Sequence, residues 1–338
     1  MERILIAETD RVGDVILSLP VFKSIKKYDR KIYVVALVSP YTRDLFRNFK
    51  YADGVIEYFD GDKNSLENTL LKIRSQQFDT ALILHPDKKV AKLLQKAEIK
   101  NRISYGWKWY QYLFTDVLVQ HRSRNRKHQL EYNLDLLKYA GIDVLEKNIK
   151  LEPDLDDIKF VNGILRKKKL YNKRLIGIHP GSGRSSLSLS AEKYAELIML
   201  LKKNYKNTEI VLTHTPRDKQ IIDRLISTVK ARIHLMPENL SLTNLMALLS
   251  RLKVFISNST GPLHMASALR VPAIGFYSPV FVHSPRRWGP YWGYNLVIRP
   301  EVNCPEKWRC RLEKCKYYDC FHSIDFKPVI KFVGDHLK

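Results

Sequence analysis

The strongest constraint on this chain is a local pattern found in both halves: a short apolar run, a small polar loop, then apolar residues at helical spacing. Ile4 to Ala7 has the composition of a parallel strand buried on both faces, and Val15 to Ile25 follows at helical spacing. The pattern continues with a strand over Ile32 to Val38, helices near Tyr41 to Phe49 and Leu66 to Ser75, and a strand over Thr80 to Leu84. At Leu151-Glu152-Pro153-Asp154 it breaks into an acidic, proline-containing stretch. The second half restarts it with strands over Leu175 to Ile178, Glu209 to Leu212, Val254 to Ile256 and Ala273 to Phe276. Strands and helices in alternation build open, mostly parallel sheets. The 338 residues exceed one ordinary core and suit two. The pattern therefore predicts an α/β protein with domains at 1–152 and 153–324, and a terminal amphipathic helix within 325–338 that is free to cross back onto the first domain.

Composition narrows the function classes. Apolar residues make up 45% of the chain in short runs, which argues against a membrane span. The first ten residues carry charges where a signal peptide needs an apolar stretch, so export is not expected and the cytoplasm is favoured. Lys and Arg outnumber Asp and Glu by 58 to 35, a formal charge of +23 that biases the protein toward polyanions. Nucleic acid, anionic lipid and phosphorylated glycan all qualify on charge. No helix-turn-helix, zinc finger or RNP-like signature accompanies it, despite 18 tyrosines, so nucleic acid is not expected as a partner.

The candidate chemistry sits in the loops that leave predicted strands, where open parallel sheets bind ligands. After the first strand comes Thr9-Asp10-Arg11-Val12-Gly13-Asp14. Asp14 suits a helix N-terminus, where a carboxylate meets free backbone N–H groups, and capping is its plainest role. Either Asp10 or Asp14 could instead accept a proton from a hydroxyl. The second half opens with a strand running into His179-Pro180-Gly181-Ser182-Gly183-Arg184, whose backbone N–H groups can close on a phosphate. It lacks the P-loop lysine and the full GxGxxG spacing, which argues against an NTPase or a dehydrogenase. Ser259-Thr260-Gly261-Pro262-Leu263-His264 is a second such loop, and two together can bracket one diphosphate. Taken alone, His264 reads as a core histidine. Asp60-Gly61-Asp62 has the form of a metal-binding Asp-x-Asp but sits where a turn is expected. Cys304, Cys310, Cys315 and Cys320 lack the CxxC pairs of common zinc sites and read as reduced thiols packing a loop.

Taken in order, these segments resemble glycosyltransferase family 9, which includes the ADP-heptose:lipopolysaccharide heptosyltransferases. Arg11-Val12-Gly13-Asp14-Val15-Ile16-Leu17-Ser18-Leu19-Pro20 is similar to the family's N-terminal signature, His179 to Gly183 to its donor-phosphate loop, and Ser259 to His264 to its second donor loop. The stretch from His128 through Leu137 to Gly141 and the late Cys320 also match. The resemblance implies a GT-B architecture, two Rossmann-like domains facing a central cleft, and inverting transfer without a metal or other cofactor. It implies Asp14 as catalytic base. Ser182, Gly183, Thr260, Gly261 and His264 match donor-binding positions, and Arg184, Asp218 and Ser259 join that set. Acceptor contacts are expected from Asp10 and Arg11 and from the basic run Arg124, Arg126, Lys127 and His128.

The expected co-substrate is a nucleotide sugar, ADP-heptose first, and the expected acceptor an anionic lipopolysaccharide or lipooligosaccharide inner core met at the cytoplasmic face of the inner membrane. Two departures qualify the donor. Ser186-Leu187-Ser188-Leu189-Ser190 lacks the family's lysine before its Trp-Pro pair, and Ser259 stands where many heptosyltransferases carry an aspartate. The rivals are another nucleotide sugar in the same family and a sugar-nucleotide epimerase, which would process its donor without an acceptor.

Overall fold

The computed structural model describes residues 1–182 and 187–337. Its contacts divide into two units, Met1–Ile149 and Lys150–Lys338, each built on its own sheet. The first unit runs β1 (Arg3–Ala7), α1 (Val12–Tyr28), β2 (Tyr33–Val38), β3 (Gly54–Glu57), α2 (Lys63–Ser75), β4 (Thr80–Ile83), α3 (Lys88–Lys96), β5 (Asn101–Tyr105), β6 (Asp116–Leu118) and α4 (Gln129–Tyr139). Its six strands are ordered β3-β2-β1-β4-β5-β6, and every pairing is parallel. Because strand side chains alternate, Leu5 and Ala7 pack with Ile73, Val90 and Leu94 beneath α2 and α3, while Ile4 and Ile6 point the other way. All three of Ile4, Leu5 and Ile6 are fully buried, each burial contributing about 1.5–3 kcal/mol.

The second unit repeats the scheme with α5 (Leu155–Lys167), β7 (Arg174–His179), α6 (Ala191–Asn204), β8 (Thr208–Leu212), α7 (Lys219–Thr228), β9 (His234–Leu235), α8 (Leu242–Leu249), β10 (Val254–Asn258), α9 (Gly261–Ala268), β11 (Ala273–Phe276), α10 (Pro285–Trp288), β12 (Asn295–Ile298) and α11 (Lys327–His336). The order is β12-β11-β10-β7-β8-β9, again all parallel. The terminal helix α11 buries Val329 and Val333 in the same core as Tyr194 and Leu201 of α6, and the Tyr205 hydroxyl donates to the Ile330 carbonyl at 2.6 Å.

Two local results differ from the sequence reading. The helix expected near Tyr41 to Phe49 is a 3-10 stretch, Pro40–Phe46, in which the Thr42 hydroxyl bonds to the Ser39 carbonyl at 3.0 Å and competes with backbone pairing. The strands β3, β5, β6, β9 and β12 had no counterpart in the reading. Four of them are sheet edges and β5 lies next to one, and none is a continuous apolar run. Gly141 ends α4 because its φ of +93° is open to glycine: its N–H bonds to Lys138 and that of Ile142 to Leu137, closing the last turn.

Candidate functional site

All six strands of the first sheet run parallel, so their exit loops share one edge. On that edge β1 hands over to α1 through Glu8-Thr9-Asp10-Arg11. Arg11 occupies the cap position of α1 and makes no side-chain cap bond, so Asp14 is not the capping residue but a half-buried carboxylate in the first helical turn. The helix dipole favours its charge there. Asp10 pairs with Nδ1 of His85 at 3.2 Å, bringing in the loop after β4. Burial lowers the pKa of His85, partly opposed by Asp10, so the ring tends to the neutral form.

The third carboxyl is Glu8, 3% exposed, whose Oε1 accepts from the Asp10 N–H at 3.4 Å. Burial, then the nearby charges of Asp14 and Asp10, hold Glu8 well above the usual carboxylate range, against the Asp10 N–H bond and the Arg122 guanidinium. Glu8 therefore keeps its proton while more exposed carboxyls lose theirs. Arg122 lies over the Tyr105 ring at 3.9 Å. The Tyr41 hydroxyl accepts from the Val12 N–H at 3.2 Å, and burial raises its pKa, with Asp10 and Asp14 adding to the effect. The edge thus gathers carboxyls of unequal proton affinity with a histidine and an arginine, a set suited to moving a proton and gripping an anion.

The other expected acceptor residues sit differently. Arg124 and Arg126 are exposed beyond β6, and Lys127 pairs with Asp135 at 2.7 Å. His128 is buried as the N-cap of α4: its Nδ1 accepts from the Leu130 N–H at 3.3 Å while Glu131 accepts from its own N–H at 3.2 Å. Asp60 pairs with Lys89, and Asp62 caps α2 by accepting from the Ser65 N–H at 2.8 Å.

In the second unit, neighbouring strands β7 and β10 exit side by side and a buried asparagine joins their loops. The Asn258 amide donates to the carbonyls of Pro180 at 3.0 Å and Gly181 at 3.3 Å, and its Oδ1 accepts from the Leu189 N–H at 3.2 Å. His179 is buried with Nδ1 against the Thr213 carbonyl and hydroxyl at 3.0 and 3.1 Å, and burial lowers its pKa. Asp218 presses on the first loop: a Cβ at Gly181 would lie 2.5 Å from its Oδ1, while Thr215 holds Oδ2 through both its N–H and hydroxyl at 2.8 Å. The Ser182 hydroxyl accepts from Ser188 at 3.2 Å. Gly183 and Arg184 lie outside the described residues.

Thr260 is the cap residue of α9 and makes no side-chain cap bond. Its hydroxyl pairs with that of Ser257 at 2.8 Å, so the first N–H groups of the helix have no side-chain cap. The Ser259 N–H bonds to Phe276 at 3.1 Å, and His264 is buried one turn into α9. This is a cradle of backbone dipoles suited to an anion.

Leu187, in the stretch where the family resemblance leads one to expect a lysine, is half-buried against the second core and lines a small cavity with Cys304, Cys310, Cys315 and Cys320. The four thiols are unbonded, and burial followed by the neighbouring thiols pushes Cys320 up to about 11. Among the described residues no three His, Cys, Asp or Glu side chains are arranged to hold a metal ion. Glu8, Tyr41 and His85 were absent from the sequence reading. Only Glu8, beside the signature, left a local trace there.

The chain matches the family model for glycosyltransferase family 9 (heptosyltransferase) over residues 69–316. It is 32% identical over 318 residues to a Haemophilus influenzae protein named "Putative glycosyltransferase", covering 90% of each chain. It is 24% identical to the lipopolysaccharide core heptosyltransferase OpsX of the same organism, over 77% of this chain and 75% of that one. Among solved structures, ADP-heptose lipopolysaccharide heptosyltransferase II of E. coli superposes with a TM-score of 0.79 at 17% identity, covering 100% of this chain and 98% of that one. E. coli heptosyltransferase WaaC with ADP gives 0.69 at 18%, over 88% and 93%. The fold shared with these structures is the two-domain α/β GT-B architecture.

Proposed function

The chain belongs to glycosyltransferase family 9, and we propose that it transfers heptose from ADP-heptose to an anionic inner-core glycolipid by an inverting reaction without a metal. One observation carries the reading: the family's base position, Asp14, stands on a strand-exit edge with a buried Glu8 of raised proton affinity, an Asp10–His85 pair and Arg122. Asp14 takes the proton of the acceptor hydroxyl as that oxygen attacks the anomeric carbon, and the nucleoside diphosphate leaves from the opposite face. Glu8, its proton affinity raised, sets less negative charge beside Asp14 than an ordinary carboxylate would. Arg122 and Arg11 supply charge for a phosphorylated or acidic acceptor.

In the second unit the leaving diphosphate meets the N–H groups of the loop at Ser182 and of the start of α9, with Thr260 and His264 beside them. Asp218 and Asn258 hold the first loop in shape for that contact. Ser259 at the family's aspartate position and the apolar packing of Leu187 at its lysine position favour a second reading, a different nucleotide sugar in the same reaction. Among the described residues no helix is long and apolar enough to cross a membrane, which suits an enzyme that visits the bilayer from the cytoplasm.

The test is a panel of nucleotide sugars with and without an inner-core acceptor, in excess chelator. Heptosyl product that needs the acceptor and forms at an unchanged rate in chelator is expected. Conversion of donor without acceptor would sink the reading, and inhibition reversed by a divalent ion would sink its metal-independent mechanism.

A further inference from the structure

The loop leaving β5 on the acceptor edge carries Gly106-Trp107-Lys108-Trp109-Tyr110-Gln111-Tyr112. Its inner residues are committed: Tyr110 is buried with its hydroxyl on the Pro86 carbonyl at 2.7 Å, and the Trp107 N–H bonds to Oε1 of Gln111 at 3.1 Å. Its large aromatic side chains face solvent instead, Trp107 67%, Trp109 71% and Tyr112 65% exposed, with Val119 of the next loop 57% exposed. Such a display loses the hydrophobic benefit of burial and points to an occupant.

Cations are interleaved with these rings. The Lys88 ammonium lies 4.1 Å from the Trp109 ring centre, and Trp107 sits 5.1 Å from the His121 ring beside Arg122. Lys108 is exposed between the two tryptophans and close enough to His85 to act on its charge, which ties the loop to the acceptor edge. Indole rings favour the water–hydrocarbon boundary and ammonium groups favour phosphate headgroups.

We propose that residues 106–112, with Lys88 and Val119, form a bilayer-docking surface for an anionic phospholipid interface, which sets the acceptor edge of the first unit against the membrane. This rests on the reading that the acceptor is a lipid-anchored glycan.

The experiment measures partitioning of the full chain onto vesicles of phosphatidylcholine with about one third phosphatidylglycerol, and onto phosphatidylcholine vesicles, a contrast that isolates charge. The Trp107→Ala/Trp109→Ala/Tyr112→Ala variant should bind the anionic vesicles about tenfold more weakly or worse, with Trp107→Phe/Trp109→Phe restoring much of the loss. Lys88→Glu, which spares the aromatic rings, should weaken binding to the anionic vesicles alone. Transfer to vesicle-embedded acceptor should fall with binding, while transfer to the same glycan freed of its acyl chains stays within about twofold. Unchanged partitioning of both variants would overturn the proposal. So would an equal loss on the lipid-free glycan, which would make the loop a platform for acceptor sugars. Partitioning needs no turnover, so failure of the heptosyl reading shows separately, as absent product from a protein that still docks.

Discussion

The two strand-exit sites are built from the same local pattern and to opposite electrical designs. In the first unit, the loops after β1, β4 and β6 bring three carboxyls, a histidine and an arginine to one edge, and burial raises the proton affinity of Glu8. In the second, β7 and β10 deliver glycine, serine and threonine, and the work falls to backbone groups held by Asn258 and Asp218. A parallel sheet offers only a place for a ligand. Titratable side chains suit that place to proton transfer, and bare backbone suits it to an anion.

The largest expected effect tests the division directly. Asp14→Asn, nearly isosteric, should cut transfer by about 10²-fold or more while leaving donor affinity within about twofold. Measured kcat beside donor Kd decides this, and a matching loss in both would show that the first site is not purely a proton-transfer site.

Next comes Leu187→Lys, which restores the family's cation. Because Leu187 packs against the core and lines the thiol cavity, the charge should cost about 1–3 kcal/mol of stability in denaturant titration. Unaltered stability with a gain in donor affinity would show that the side chain turns out toward the cradle and that the second site tolerates a side-chain charge.

Gly181→Ala should weaken donor binding by about tenfold, since its Cβ would push against the Asp218 carboxylate that Thr215 holds in place. The pH dependence of kcat should not move, and calorimetric titration with nucleotide sugar reads the first effect.

The smallest is Glu8→Gln. A carboxyl whose folded pKa lies above its unfolded value contributes stability at low pH that is lost as pH rises from the unfolded pKa through the folded one. The wild type should therefore weaken from about pH 4.5 upward through this group, and the Gln variant, which cannot titrate, should lack that component. Melting curves across pH check it, and identical slopes would mean that Glu8 sits in a wetter site than its burial implies.

Legibility followed burial and chain distance. The central strands read clearly because Ile4 to Ala7 and Val254 to Ile256 are buried on both faces and must be apolar throughout. Edge strands such as β6, Asp-Val-Leu, carry no such demand and went unread. The loops at Asp14, Ser182 and Thr260 were visible because glycine and small hydroxyl residues cluster where a strand must hand over to a helix.

By itself, the sequence determined the alternation of strand, loop and helix, the family, and the residues nearest each hand-over, since all of these are set by interactions within a few residues of chain. Only the tertiary structure decided which distant residues complete the sites. His85 meets Asp10 from across 75 residues because β1 and β4 are sheet neighbours, a pairing no local pattern encodes. Asp218 reaches Gly181 because β7 pairs with β8, whose exit leads to Asp218, and Leu187 faces four cysteines that lie more than a hundred residues further along the chain. Proton affinity belongs with these results: Glu8 is an ordinary acid in the sequence and becomes a reluctant one only when the fold removes its water and sets two aspartates beside it.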